Sequence, residues 1–78
     1  MLEERLLTEI ANALEISRDL LSPATINTDI QEWDSLGHIT ILARLDELFN
    51  NISERSPELA EASSISEILQ ILQRDGQF

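Results

Sequence analysis

Apolar residues recur along this chain at intervals of three and four, and no stretch shows the alternation that a half-buried strand requires. Helices are therefore the elements this sequence is predicted to build. With 78 residues, the chain is predicted to be a single domain spanning 1–78, near the lower end of what folds around its own core. Its apolar side chains are mostly Leu, Ile and Ala, and its aromatic residues are Trp33, Phe49 and Phe78, so the core is predicted to be aliphatic. There is no cysteine, which excludes a disulfide framework and a thiolate metal site.

Leu2, Leu6, Ile10 and Leu14 recur every fourth residue, with Leu7 and Ala13 beside them and Glu3, Glu4, Glu9 and Glu15 between them. That spacing predicts an amphipathic helix from about residue 2 to 16. Ser17 to Trp33 is rich in Ser, Thr, Asn and Asp, and predicts a long ordered loop with a helical turn near Arg18–Leu21. Leu20, Leu21, Ile26 and Ile30 should pin it to the core, and loops this long inside small domains are often functional. A second helix should open at Asp34 as N-cap, bury a stripe of Leu36, Ile39, Leu42, Leu45 and Phe49, and end around Asn50–Asn51. Ser56-Pro57-Glu58 reads as a cap, a first-turn proline and a favourable charge opening a short helix to about Ala62. Ser64-Ile65-Ser66-Glu67 fits a capping box, starting a last helix that carries Ile65, Ile68, Leu69 and Leu72 and stops near Gly76. The expected fold class is all-α, with three main helices and one short one.

Fifteen acidic residues against five arginines, with no lysine, give a formal net charge of −10. Such a field repels nucleic acid and anionic lipid and attracts basic protein surfaces. No apolar run approaches the ~20 residues of a membrane span, and the first residues lack a signal-peptide pattern, so a cytoplasmic protein without a membrane span is expected, and a monomer. Asp29, Glu32 and Asp34 are close in sequence but match no dedicated calcium loop, and no metal site is assigned.

The chemistry-bearing segment is Trp33-Asp34-Ser35-Leu36, where the long loop meets the second helix. A serine there is exposed, and the unpaired backbone N–H groups of a helix start favour an anionic group attached to it. Gly37 and Thr40 are small, which leaves an enzyme room to approach the hydroxyl. Asp34-Ser35-Leu36, followed by apolar residues at 39, 42, 45 and 49, resembles the phosphopantetheine attachment motif and second helix of acyl carrier proteins and of the related peptidyl carrier domains. The resemblance covers most of the chain, including the Ile65–Leu72 helix. It implies a four-helix bundle whose Ser35 receives 4′-phosphopantetheine from coenzyme A through a phosphopantetheinyl transferase, with Asp34 and Leu36 helping to form the attachment site. The arm's thiol would hold an acyl or aminoacyl group as a thioester, chemistry that a chain without cysteine cannot supply itself. The protein would be a carrier and not an enzyme.

The resemblance also implies that loading and acyl-transferring enzymes dock basic patches on the second helix, here through Thr40, Asp46 and Glu47. Two positions that are often acidic in fatty-acid carriers are Gly37 and Thr40 here, and Arg44 adds a positive charge. That departure favours a specialised carrier with its own partners. His38 lies one turn beyond Ser35, a spacing that puts the two side by side on a helix and is compatible with a Ser–His hydrolase pair; the G-x-S-x-G motif is absent, and a solvent-exposed His38 packed on Trp33 is expected instead. From a different class, an acidic helical interaction module with unmodified Ser35 fits the same features.

Overall fold

A computed structural model describes residues 2–76; the side chain of Leu2 and the whole of Phe78 lie outside the described part. Helix α1 (Leu2–Leu14) turns Leu6, Leu7, Ile10, Ala11 and Leu14 inward. It stops two residues before the expected end because Glu15 adopts a left-handed conformation at φ 57°. The N–H groups of Glu15 and Ile16 then reach back to the carbonyls of Asn12 and Ala11, at 3.2 and 3.0 Å, which is a Schellman closure built on a residue other than glycine.

Helix α2 (Ser35–Phe49) packs along α1, and Arg44 on α2 pairs with Glu9 on α1 at 2.7 Å. It too closes through left-handed backbone, at Asn50 (φ 56°) and Asn51 (φ 61°), whose N–H groups both meet the Asp46 carbonyl. A single-turn helix α3 (Ile52–Arg55) and a 3₁₀ turn (Pro57–Glu61) follow, then α4 (Ile65–Arg74), which ends where Gly76 takes φ 84°. Ser64 caps α4 by accepting from the Glu67 N–H at 3.1 Å. The described residues are thus mostly helical, in four α-helices with no strand. No described helix is long and apolar enough to cross a membrane.

One hydrophobic cluster joins all of these: Leu6 and Ile10 from α1, Ile41 and Leu45 from α2, Ile52 from α3, Leu59 from the 3₁₀ turn, and Ile65, Ile68 and Leu72 from α4. The long loop is sewn to the start of α4 by a bridge between Ile26 and Ser64, with Asn27 N–H donating to Ser63 at 2.7 Å and Ile65 N–H to Thr25 at 3.1 Å. The expected helical turn in it is a 3₁₀ turn at Arg18–Leu20.

Several expectations need correction. The expected short helix between residues 56 and 62 is 3₁₀, and the short α-helix is instead α3, Ile52–Arg55. That turn forms because the Asp46 carboxylate accepts both the backbone N–H and the hydroxyl of Ser53, each at 2.8 Å, and so caps α3 from the preceding helix. The Ser56 side chain makes no capping bond; its hydroxyl donates to Asp75, just past the end of α4, at 3.3 Å. The core is not purely aliphatic, since Trp33 is 4% exposed and belongs to it. In the loop, Leu21 and Ile30 are buried as expected, but Leu20 and Ile26 are exposed. Helix α2 is rotated relative to the expected stripe. Ile41 and Leu45 are buried, Leu42 and Phe49 are half-buried, and Leu36 and Ile39 face outward at 72% and 62% exposure.

Candidate functional site

The start of α2 is held by two devices encoded within residues 32–37. Asp34, in extended backbone, accepts the Gly37 N–H on Oδ1 at 2.8 Å and so fixes the first turn. Gly37 lets the preceding loop lie directly on the helix: a Cβ at this position would stand 2.1 Å from the Glu32 carbonyl oxygen and 3.0 Å from Leu14 Cδ2. Its small size thus admits the protein's own loop, a different use from the expected clearance for an approaching enzyme. Together these devices leave Ser35 as the first residue of α2, exposed, with a hydroxyl that makes no hydrogen bond to any of the described residues. The N–H groups of Ser35 and Leu36 likewise have no partner among the described residues, as expected at a helix start.

Beside Ser35 runs an open groove of about 590 Å³. Ser35, His38, Ile39 and Leu42 form its α2 wall, Ala60 to Ser63 the opposite wall, and Trp33, Asp34 and Asn27 its end. Ile39, placed in the core by its spacing, is in truth a groove residue, and with Leu36 it makes an apolar patch adjoining the hydroxyl. The wall from the 3₁₀ turn could not be read from the sequence, because it arrives from a segment more than twenty residues away. Trp33 is legible in the sequence as part of the motif, but not as a groove-lining residue.

His38 is half-buried, correcting the expectation of an exposed ring. The Trp33 Nε1–H donates to His38 Nδ1 at 2.9 Å, and His38 Nε2 lies 2.8 Å from the Leu59 carbonyl. An indole nitrogen can only donate, so Nδ1 is the acceptor and the proton sits on Nε2, donated to Leu59. The rings are 10° from parallel with centroids 6.1 Å apart, the spacing of two rings joined edge to edge by a hydrogen bond. With both nitrogens engaged, and no hydrogen bond to Ser35, the ring is not arranged as the base of a Ser–His pair.

Of the docking candidates, Thr40 and Glu47 are exposed on α2, with Thr40 Oγ1 bonded back to the Leu36 carbonyl at 3.0 Å. Asp46 is half-buried and its carboxylate accepts from the backbone N–H and hydroxyl of Ser53, so it caps α3. Arg44 is likewise engaged with Glu9. Asp29 accepts the Ile26 N–H at 3.1 Å, and no group of three His, Asp or Glu among the described residues is arranged to hold a metal ion.

What the fold and site define is a small acidic helical protein with an exposed serine, Ser35, at the start of its longest described helix, beside an open groove. Comparison with protein-family models, with curated proteins and with solved structures finds no match.

Proposed function

We propose that this protein is a carrier of the acyl-carrier type: Ser35 is the attachment point for 4′-phosphopantetheine, and the protein presents a tethered acyl or aminoacyl group to partner enzymes without itself being a catalyst. The observation that carries this reading is Ser35 itself, exposed at the first position of a fifteen-residue helix with its hydroxyl uncommitted.

The residues present fit the group. A phosphodiester on Ser35 Oγ would lie against the unpaired N–H groups of the first turn, at the positive end of the α2 dipole. In the loading step the Ser35 oxygen forms a bond to the β-phosphorus of coenzyme A, the bond to 3′,5′-ADP breaks, and the hydroxyl proton passes to a base on the transferase. Once attached, the arm supplies a thiol for thioester chemistry. Asp34 holds the turn in which Ser35 is displayed, and Leu36 with Ile39 offers an apolar contact for the transferase and loading enzymes. Thr40 and Glu47 extend that face, and the net charge of −10 favours partners with basic docking patches.

The exposed Leu36 and Ile39 pair would equally serve an interaction module with an unmodified serine. Intact-mass analysis after incubation with coenzyme A and a broad-specificity phosphopantetheinyl transferase separates the two. A single phosphopantetheine adduct on the native chain and none on Ser35→Ala is expected. An adduct that persists in Ser35→Ala would show the site to be elsewhere, and no adduct on the native chain would leave the interaction module as the better account.

A further inference from the structure

The groove beside Ser35 lies over the seam between α2 and the Pro57–Glu61 turn, and one side chain crosses that seam. His38 accepts a hydrogen bond from the Trp33 indole on Nδ1 and donates one to the Leu59 carbonyl from Nε2, at 2.9 and 2.8 Å. Trp33 and Leu59 are buried, whereas His38 is half-buried and lines the groove. The imidazole therefore stands between the groove outside and the packed core of Ile41, Leu45, Leu59 and Leu72 within.

We propose that His38 is a strap that closes this seam, so that a group carried on Ser35 stays in the surface groove and does not pass between α2 and the turn into the core. The proposal rests on the carrier reading above. Apolar cargo gains from burial with every methylene it hides. To enter here, it must break both bonds of the strap. The Leu59 carbonyl would keep the longer bond from the Ala62 N–H at 3.3 Å. The Trp33 Nε1–H has no second partner among the described residues and, in a side chain that is buried, would be left unsatisfied, a costly outcome for a buried donor. The groove's own rim, with Asn27, Asp34, Glu61 and Ser63, is open to water and suits a short or polar cargo. The strap thus makes His38 a positioning residue that sets which cargo the protein tolerates.

The test uses the indole N–H resonance of Trp33, the one tryptophan in the chain, and the methyl resonances of Leu45, Leu59 and Leu72. Ser35 is loaded by a transferase from acetyl- or octanoyl-coenzyme A and checked by intact mass. In the native protein, octanoyl and acetyl forms should share the same core methyl and indole positions, with differences confined to Ile39, Leu42 and Ala62. In unloaded His38→Ala, indole exchange with solvent should quicken at least tenfold, and in the octanoyl form of that variant the core methyls should move. His38→Asn, which keeps an acceptor near the Nδ1 position, should restore indole protection. Octanoyl-dependent shifts of the core methyls in the native protein would overturn the strap, as would unchanged indole exchange in His38→Ala. Should His38→Ala fail to fold, the native acyl series and His38→Asn still decide. Failure to load Ser35 at all would instead sink the carrier reading, while indole exchange in the unloaded variants would still report whether the strap exists.

Discussion

Replacing Gly37 by alanine sets two effects of opposite sign against each other. Helix propensity alone favours alanine over glycine inside a helix by about 1 kcal/mol, and a glycine in the first turn of α2 invites that substitution. The surroundings oppose it. The new Cβ would stand 2.1 Å from the Glu32 carbonyl oxygen, so contact can be restored only by moving backbone through roughly 1 Å, a gap that no side-chain rotation can open. Overpacking of this kind costs typically about 1–3 kcal/mol, and a backbone obstacle belongs at the upper end. Set against the propensity gain, the net loss is about 2 kcal/mol. For a domain of this size each kcal/mol moves the melting temperature by about 4–8 °C, so Gly37→Ala should melt roughly 8–16 °C lower. Thermal melts by circular dichroism measure this, with Ala43→Gly at an exposed position of the same helix as the propensity control, expected to lose about 1 kcal/mol. A Gly37→Ala protein that melts higher than the native chain would refute the claim that the Glu32 carbonyl rests on α2.

Four further outcomes are expected. Asp34→Ala should lose about 1 kcal/mol of capping, read by chemical denaturation, and an unchanged midpoint would remove Asp34 as the cap. Asp46→Ala should cost about 1.5–3 kcal/mol, because a carboxylate holding two donors of Ser53 is lost; a variant of native stability with impaired partner binding would return Asp46 to a docking role. Leu45→Ala should cost about 2–5 kcal/mol and Leu36→Ala within about 0.5 kcal/mol, and the reverse order would mean that α2 is rotated from the orientation described. The melting temperature should rise with salt. The Debye length falls from ~30 Å at 0.01 M to ~8 Å at 0.15 M, and the molecule measures 28 × 26 × 18 Å, so salt screens a net repulsion among the excess carboxylates that spans the molecule at low salt. The Arg44–Glu9, Arg55–Asp75 and Arg74–Glu58 pairs, all partly exposed, should oppose this by no more than about 1 kcal/mol each; a melting temperature that falls with salt would show that they dominate.

What the sequence disclosed follows the range of the interactions involved. Asp34 and Ser64 were legible as caps because each bonds a backbone N–H only three residues on. The existence of α1, α2 and α4 was legible from apolar spacing. The facing of α2 was not: Leu36, Ile39, Ile41, Leu42, Leu45, Leu48 and Phe49 leave the helix apolar around much of its circumference, and periodicity alone cannot choose which part meets the core. The residues wrongly placed inside, Leu36 and Ile39, are those that flank Ser35. Helix α3 was missed because its cap comes from Asp46, seven residues before Ser53. The role of His38 depends on Leu59, twenty-one residues away, and no local pattern announces that bond.

The stitch between the long loop and the head of α4 bears on how the molecule assembles. Ile26 and Ser64 are bridged across thirty-eight positions, nearly half the chain, whereas the hydrogen bonds of α1, α2 and α4 close over four. Closing a long loop costs entropy before its contacts repay it, and non-local pairings retard folding. The helices are therefore expected to form and collapse first, with the segment from Ser17 to Trp33 settling against them as a late event. Ser35 would be displayed on a nascent helix before the loop that frames it is in place, and the framing would be the first part to come undone in brief excursions from the native state. Hydrogen exchange at the amides of Asn27 and Ile65, which close that stitch, should accordingly be faster than at Leu45 or Leu72.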